Sequence, residues 1–334
     1  TMETYIHDIF GPNGALAQHF SGYTPRPGQI EMATAVDRAL DEGAHLLVEA
    51  PTGVGKSIAY CIPATYHAYP RVIIATANIA LQEQLVKKDL PLLQQILPWD
   101  VSFTLLKGKT NFLCQNNFYD EEAQGTTALA RNPEDVPLLK QLVTWAKSTS
   151  TGDKNELPFE APPRIWKRFS TPSDRCLGKA CQYREECFYE RQRQQAYKAG
   201  IIVTNYHLLC AHLRTGCVLP EFNMAICDEA HKLADIARDF FGIQLTAGSL
   251  RWACQKLKDH DESLHESLER ASKSFFKDLY RYLEMKDRSR ITEPNAVAWQ
   301  PLATLLQKAE IAYAEVTLGN ECHKLYPRQR RVIT

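Results

Sequence analysis

The chain has 334 residues, of which 44% are hydrophobic and 23% are charged, and its formal net charge at pH 7 is zero. These values are typical of a soluble globular protein with two domains or one large one, and a neutral chain can bind a polyanion only through local basic patches. No apolar run approaches the ~20 residues that span a bilayer, and no signal peptide opens the sequence, so we expect a cytoplasmic protein without membrane contacts.

Short β-branched segments alternate with helical patterns through roughly the first 230 residues. Strands are predicted at residues 45–49, 71–76, 102–106, 201–204 and 224–227, and helices at residues 57–67 and 79–89. Strand–helix alternation of this kind predicts an α/β fold, in which a parallel sheet is covered by helices on both faces.

A glycine-rich segment, Ala50–Ser57, lies directly between the first predicted strand and the helix after it. Such a turn points backbone N–H groups at phosphate oxygens. Lys56 is expected to reach the β- and γ-phosphates of ATP and Ser57 to hold Mg²⁺, although the strict motif has glycine where this chain has Ala50. Upstream, the amide of Gln29 offers a donor and an acceptor to the edge of adenine. The predicted nucleotide contacts are Arg26, Gln29, Thr52, Gly53, Val54, Gly55, Lys56 and Ser57.

Residues 110–195 contain no clear strand and hold four clustered cysteines, so they are predicted to be an insertion. The four are Cys114, Cys176, Cys181 and Cys187, and none belongs to a C-x₂-C pair. Four thiolates on short loops hold either tetrahedral Zn²⁺ or an iron–sulfur cluster; longer spacings favour the larger [4Fe–4S] cube, but both alternatives stay open. Because the insertion offers little apolar surface, we expect this site to hold it together. The six scattered cysteines are expected to be small buried residues.

An acidic box, Asp228-Glu229-Ala230-His231, closes the last predicted strand. A carboxylate at the C-terminal end of a strand is well placed to bind Mg²⁺, which we assign to Asp228. Glu229 is the expected base or orienter of the attacking water, and His231 is expected to couple the site to a neighbouring segment. The predicted catalytic residues are therefore Lys56, Asp228, Glu229 and His231. The alternative is a solvated Asp–Glu pair at the start of a helix.

The stretch from residue 245 to residue 318 is predicted to be helical. Six apolar residues recur there at steps of three to four: Leu264, Leu268, Ala271, Phe275, Leu279 and Leu283. This spacing places them on one face of a helix, which we interpret as packing surface.

Taken in order, these motifs resemble those of the XPD/DinG family of iron–sulfur superfamily 2 DNA helicases, and the bacterial DinG branch in particular. The resemblance rests on residues 49–57, 75–85, 107–114, the three later cysteines, 203–207 and 228–231. It implies a RecA-like P-loop motor that uses ATP and Mg²⁺ to translocate 5′ to 3′ on single-stranded DNA. Such a motor unwinds forked or tailed duplexes in DNA repair and replication.

The resemblance also implies roles for particular residues. It assigns a [4Fe–4S] cluster to Cys114, Cys176, Cys181 and Cys187. It assigns DNA contacts to Thr76, Gln82, Lys109, Asn111, Thr204 and Asn205. Short polar groups and lysine near strand ends suit phosphate contacts, although a capping or turn role is the alternative for each.

The resemblance further implies a division of the chain. The motor domain occupies residues 1–109 and 196–243, the cluster insertion residues 110–195, a mainly helical arch domain residues 244–325, and a basic segment or truncated return strand residues 326–334. Family members carry a second RecA-like domain with arginines for the γ-phosphate, and no Gln-x-x-Gly-Arg-x-x-Arg segment occurs here. We therefore expect that domain in the same gene or another chain, a monomeric protein, and slow hydrolysis by these residues alone. The alternative is a helicase-derived module that binds DNA or a partner without unwinding.

Overall fold

The computed structural model describes residues 2–51, 53–125, 132–173, 175–242, 246–258, 261–283 and 299–319. Some sequence predictions lie outside these residues, namely the nucleotide contact of Thr52, the burial of Cys322 and the basic segment at 326–334, and the side chain of Leu283 is not described either. The chain divides into two compact units, Thr1–Phe241 and Gly242–Thr334. The finer division made from the sequence stays a prediction. No helix of the described segments is long and apolar enough to cross a bilayer.

A four-stranded parallel sheet with the order β2-β3-β1-β4 lies at the centre of the first unit. Its strands are β1 (Val72–Thr76), β2 (Phe103–Leu105), β3 (Ile201–Asn205) and β4 (Met224–Asp228). Along β1, Val72 and Ile74 belong to one apolar core and Ile73 and Ala75 to another. Successive side chains of a strand point to opposite faces, so both faces of this sheet are covered. The predicted α/β fold is confirmed.

Helices surround this sheet, and their ends follow local sequence signals. Pro27 opens the third helix, which ends at Gly43 in a left-handed conformation, while Asn78 and Asn205 cap later helices through their side chains. The helices are α1 (Met2–Phe10), α2 (Ala15–His19), α3 (Pro27–Glu42), α4 (Lys56–Tyr66), α5 (Ile79–Gln84), α6 (Leu90–Ile96), α7 (Gln115–Ala123), α8 (Asp135–Ser148), α9 (Pro163–Phe169), α10 (Phe188–Ala196), α11 (Tyr206–Thr215) and α12 (Leu233–Phe241). The helix predicted at 79–89 is α5 followed by a π turn, Leu85–Asp89.

The strand predicted at residues 45–49 is wrong. This stretch has no regular secondary structure, and Leu47 is 91% exposed. Strand β1 cannot pair with it, because β3 and β4 already occupy both sides of β1. On the far side of β4 no further strand is present among the described residues, and the apolar side chains of Met224–Asp228 are at most half-buried. Residues 45–49 contain one β-branched side chain, Val48, and have no partner strand among the described residues, so they stay irregular.

The insertion has an apolar core of its own, which corrects the expectation that it lacks one. Helices α7, α8, α9 and α10 surround a cluster of buried side chains that includes Phe118, Leu142, Trp166 and Phe169. These large residues are widely spaced along a polar sequence, so no single window of it looks apolar. The core means that the insertion does not depend on its cysteines alone for packing.

The scattered cysteines follow the sequence prediction only in part. Cys61, Cys210 and Cys254 are buried as expected, and Cys227 is half-buried. Cys217 is exposed, because it follows Gly216, the left-handed residue that ends α11. Cys322 lies outside the described residues.

The second unit is helical where it is described. Its helices are α13 (Ala247–Leu257), α14 (Glu262–Leu283) and α15 (Gln300–Gly319). The predicted stripe lies along α14, where Leu268 is fully buried and Leu264, Ala271, Phe275 and Leu279 pack partly buried around the same core. Leu302 and Ala309 of α15 belong to that core. The stripe is therefore a packing surface, as predicted.

Candidate functional site

The glycine-rich loop has a conformation that only glycine adopts without strain at two positions. Gly53 and Gly55 both have positive φ, at 82° and 84°, and Gly55 precedes the first residue of α4. A side chain at Gly55 would also collide with Gln29, since a Cβ there would lie 2.3 Å from Gln29 Nε2. The loop therefore requires glycine at position 55 for two separate reasons.

Two residues at the start of α3 brace this loop. Gln29 is 5% exposed, and its Nε2 donates to the Gly55 carbonyl at 3.0 Å. The Arg26 guanidinium donates to the Gly53 carbonyl. Both residues were predicted to contact nucleotide, and the structure brings both to the loop backbone. Contact of Gln29 with adenine stays a prediction.

Helix α4 joins the loop to the acidic box. Lys56 and Ser57 lie in its first turn, with Lys56 Nζ 3.4 Å from the Ala50 carbonyl oxygen. One turn later, the buried Tyr60 hydroxyl donates to Asp228 Oδ2 at 2.8 Å. The first turn of α4 and the hydrogen bond of Tyr60 therefore connect Lys56 with Asp228, although these two residues are 172 positions apart in sequence. An N-terminal helix turn beside a carboxylate is the arrangement that binds a phosphate together with a cation.

The acidic box is held by several hydrogen bonds. Asp228 Oδ1 accepts from the Glu229 N–H at 2.8 Å, and the Asp228 carbonyl accepts from the Tyr206 hydroxyl at 2.6 Å. Glu229 has φ 59° and ψ 43°, a left-handed conformation that is rare for a residue with a side chain. His231 Nε2 lies 3.5 Å from Glu229 Oε2, and both side chains reach solvent. Hydrogen bonds thus hold Asp228, while Glu229 and His231 reach solvent just before the helical turns that follow, so the alternative of a solvated Asp–Glu pair at the start of a helix stays open.

The hydroxyl groups of Tyr60 and Tyr206 act as hydrogen-bond donors over a wide pH range. Burial is the largest cause that raises the pKa of Tyr60, and the neighbouring Cys61 and Asp228 raise it further. Burial likewise raises the pKa of Tyr206, with Cys227 and Asp228 adding to the effect. Both hydroxyls therefore stay protonated beyond the usual titration range of tyrosine, and they donate hydrogen bonds, Tyr60 to the Asp228 carboxylate and Tyr206 to the Asp228 carbonyl.

Three strand ends place predicted site residues in one row. Thr76, which ends β1, is level with Asn205 at the end of β3 and with Asp228 at the end of β4. The carboxyl ends of parallel strands form the edge at which α/β proteins bind ligands. Two of the residues predicted for DNA, Thr76 and Asn205, therefore lie at the same edge as Asp228, which was predicted for Mg²⁺.

The predicted DNA contacts differ in their accessibility. Thr76 and Thr204 are fully buried and Gln82 is 3% exposed. The Thr76 hydroxyl accepts from the Asn78 N–H, and the Thr204 hydroxyl donates to the Leu106 carbonyl at 3.0 Å. Thr76 thus carries the local turn role that was the alternative, whereas the Thr204 bond joins β3 to the residue after β2. A DNA contact by these buried side chains requires a local change of conformation and stays a prediction.

The remaining predicted DNA contacts are half-buried. Asn205 accepts from the Leu208 N–H at 2.8 Å and so caps α11, and Asn111 Nδ2 donates to the Gly108 carbonyl at 3.1 Å. Lys109 lies over the ring of Tyr189, with Nζ 5.1 Å from its centre. Burial lowers the pKa of Lys109, but its hydrogen bond to Cys176 and other neighbours outweigh burial and leave that pKa raised. Lys109 thus lies beside the cysteines.

All four clustered cysteines line one cavity. Cys114, 62 positions before the next of them, lies beside the loop that carries Cys176, Cys181 and Cys187. Aromatic and apolar side chains complete the walls, among them Phe112, Tyr183 and Tyr189. No group of three or more His, Cys, Asp or Glu side chains in the described segments is arranged to coordinate a single ion. The four cysteines therefore share one cavity, and the choice between Zn²⁺ and an iron–sulfur cluster stays open.

The backbone around these thiols is suited to negative charge. Cys114 precedes α7 and Cys187 precedes α10, so each thiol lies at a helix N-terminus. Burial raises the pKa of both thiols, while N–H groups of the following helix act in the opposite direction. The Gly178 N–H also points at Cys176 Sγ, at 3.4 Å. Helix N-termini and N–H donors stabilise thiolate ligands, and the donor set therefore fits an anionic metal–thiolate group.

Sequence reasoning missed Tyr60 and Tyr206. A tyrosine four residues after the loop lysine lies on the same helix face, which is a detectable signal. Tyr206 stands directly after Asn205 in a segment already singled out, yet its bond to Asp228 crosses from one strand to another and has no local signature.

Comparison with known proteins gives two family matches. The family model described as DEAD/DEAH box helicase matches residues 27–123, and the model DEAD_2 matches residues 172–250. The first contains the glycine-rich loop, and the second contains three of the clustered cysteines and the acidic box.

Two curated relatives are named as helicases. ATP-dependent helicase DinG of Mycobacterium tuberculosis is 38% identical over 287 residues, which covers 78% of this chain and 42% of that protein. ATP-dependent DNA helicase YoaA of Escherichia coli is 36% identical over 249 residues, 73% of this chain and 38% of that protein. The solved structure named Truncated XPD aligns with 86% of this chain and 76% of its own, at 13% identity and a TM-score of 0.41. The chain spans less than half the length of the two curated relatives.

Proposed function

Because this chain is a relative of the XPD/DinG helicases, we propose that it is part of an ATP-dependent DNA helicase that translocates 5′ to 3′ on single-stranded DNA. The observation that carries this proposal is the bond from Tyr60 to Asp228, which joins the phosphate loop to the acidic box. The level strand ends at Asn205, Thr76 and Asp228 support coupling of the nucleotide site to DNA.

The nucleotide site has distinct roles for its residues. The loop N–H groups and Lys56 bind the β- and γ-phosphates, and Ser57 and Asp228 hold Mg²⁺, which neutralises charge that develops on the phosphates. Glu229 orients the attacking water and accepts its proton, and His231 couples that carboxylate to a neighbouring segment. Arg26 and Gln29 hold the loop in its binding conformation, which is supported by their bonds to the carbonyls of Gly53 and Gly55.

The DNA-binding part of the proposal uses phosphate contacts. Lys109, Asn111 and Asn205 are the accessible members of the predicted set, and Thr76, Gln82 and Thr204 are the buried ones. Contacts of this kind position a single strand without selecting its sequence, so forked and tailed duplexes are the expected substrates. We further propose that a second motor domain, in the same gene or another chain, supplies the arginines for the γ-phosphate.

For the cysteine cavity we propose a [4Fe–4S] cluster on Cys114, Cys176, Cys181 and Cys187. The shared cavity and the long sequence spacings, without a C-x₂-C pair, support a multi-atom cluster, and a single Zn²⁺ is the alternative. When bound, such a cluster supplies a rigid cross-link between the two halves of the insertion. Helix N-termini at Cys114 and Cys187 support its negative charge.

The test replaces the loop lysine in the complete protein. We expect Lys56→Ala to reduce DNA-stimulated ATP hydrolysis to background, because the transferred phosphoryl group loses its main cationic ligand. The matched control is Lys87→Ala, which removes an exposed lysine paired only with Glu83. Both variants should keep the cluster's absorbance at about 400 nm, because neither substitution removes a cysteine ligand of the proposed cluster.

Two outcomes decide against the proposal. Hydrolysis that survives Lys56→Ala contradicts the nucleotide site. Wild-type protein that binds single-stranded DNA but neither hydrolyses ATP nor opens a tailed duplex supports the alternative, a helicase-derived binding module.

A further inference from the structure

The peptide bond between Asp228 and Glu229 is held at both of its polar ends. Its carbonyl accepts from the Tyr206 hydroxyl at 2.6 Å, and its N–H donates to Asp228 Oδ1 at 2.8 Å. A peptide unit is planar and rigid, so fixing both groups fixes the orientation of the whole plane. The backbone of Glu229 continues from that plane, and the Tyr206 hydroxyl therefore helps to set where the Glu229 carboxylate points.

Glu229 needs this support because its backbone is strained. It is the one non-glycine residue with positive φ among the described residues. A left-handed conformation is unfavourable for a residue with a side chain and persists only where neighbouring interactions hold it. The bonds on either side of the 228–229 peptide are such interactions.

Tyr206 connects this peptide to another part of the sheet. It directly follows Asn205 at the end of β3, whereas Asp228 ends β4, and Thr76 of β1 lies between them in register. The ring of Tyr206 therefore spans the end of β1, and it is fully buried, so water does not compete for its hydroxyl. Asn205 caps the helix that Tyr206 begins, through the Leu208 N–H. A shift of Asn205 thus displaces the turn that carries Tyr206.

We propose that Tyr206 is a positioning residue that transmits DNA binding at the end of β3 to Glu229. It touches neither nucleotide nor DNA; it acts on the 228–229 peptide, and a change at Asn205 alters how firmly that peptide is held. The inference rests on the proposed function, since it presupposes hydrolysis that DNA stimulates. The inference adds a physical connection between the proposed DNA contact at the end of β3 and the catalytic carboxylate that follows β4.

The experiment measures the stimulation factor, which is kcat with saturating oligo-dT divided by kcat without DNA. In the complete protein, we expect Tyr206→Phe to lower this factor about 10-fold, the effect of losing one buried hydrogen bond. The KM for ATP and the Kd for oligo-dT should stay within about twofold of wild type, because no ligand contact is removed. The melting temperature reports whether the variant is folded.

Two further variants separate positioning from general loss. Tyr23→Phe is the matched control, since the Tyr23 hydroxyl also donates to a backbone carbonyl, that of Phe10 at 3.2 Å, far from the acidic box in sequence; its factor should equal that of wild type. Tyr60→Phe frees Asp228 Oδ2 instead of the peptide. It should slow hydrolysis equally with and without DNA, which leaves the factor unchanged while the Mg²⁺ requirement rises.

The outcomes distinguish this inference from the proposed function. An unaltered factor in Tyr206→Phe overturns the inference alone, and so does a lowered factor that comes with weaker oligo-dT binding, since Tyr206 then serves DNA binding. A lowered factor in Tyr23→Phe of similar size also overturns it. Wild-type protein without DNA-stimulated hydrolysis overturns the proposed function and this inference with it.

Discussion

Replacing Gly55 by alanine tests the reasoning about the phosphate loop most directly. The residue has φ 84°, where an alanine costs about 1–2 kcal/mol relative to glycine. Its Cβ would also lie 2.3 Å from Gln29 Nε2, so the 3.0 Å bond from Gln29 to the Gly55 carbonyl must break, at a cost of about 1 kcal/mol. Together these terms make the binding conformation less favourable by about 2–3 kcal/mol, which weakens ATP binding about 30-fold to 150-fold.

Fluorescence titration with a labelled ATP analogue measures this change, and Gly43→Ala is the matched control. Gly43 also has positive φ, at 63°, but an added Cβ there would meet no atom within 4 Å. Gly43→Ala should therefore lower the melting temperature slightly and leave ATP affinity unchanged. If Gly55→Ala binds the analogue as tightly as wild type, the loop does not need the observed conformation, and the argument fails.

Three other predictions concern the cysteine cavity, the helical unit and pH. Cys114→Ser should abolish absorbance near about 400 nm in purified protein, whereas Cys217→Ser, at an exposed cysteine, should leave it intact; equal spectra would contradict a cluster at Cys114. Leu268→Ala should destabilise its unit by about 2–5 kcal/mol in urea unfolding, while Leu213→Ala, at a site that is 65% exposed, should change stability by less than about 0.5 kcal/mol; similar losses would mean that the α14 stripe is not a core. Burial lowers the pKa of His212 below 6.5, and its Nδ1 accepts from the Leu219 N–H at 3.0 Å, so the folded state prefers the neutral ring. A depressed histidine pKa means that the unfolded state binds the proton more readily, so stability should fall as pH drops through 6.5, and His212→Gln should flatten that part of the melting-temperature profile.

The sheet was predictable wherever a strand had a partner within this chain. Residues 71–76 and 201–204 are short β-branched runs, and both form buried central strands with bounds within one residue of those predicted. Residues 45–49 are apolar but contain only one β-branched residue, Val48; they have no neighbouring strand among the described residues, and they are irregular. Hydrophobic periodicity and composition indicate whether a segment is able to form a strand. Whether it does so depends on a neighbouring strand, which a local sequence pattern does not reveal.

The site shows the same division between local and non-local information. Gly53, Gly55 and Lys56 were predictable because their spacing alone encodes a loop and a helix start. That Cys114 shares a site with the later cysteines, 62 positions away, was predicted from the grouping of four cysteines in one insertion and from the family resemblance, because no local spacing links Cys114 to them. The π turn at Leu85–Asp89 had no signal, because a one-residue insertion in a helix leaves its apolar spacing almost unchanged.

The unpaired outer edge of β4 affects how the protein behaves in concentrated solution. Its main-chain N–H and C=O groups face no neighbouring strand in the described part of the protein, and Ala225 on the strand is exposed. An unpaired edge strand of this kind is a template for pairing with an extended segment of another molecule, and concentrated preparations are therefore prone to aggregation. A lysine at position 225 would oppose this pairing, because two such lysines repel each other and because pairing would desolvate the ammonium group. The substitution does not involve the phosphate loop.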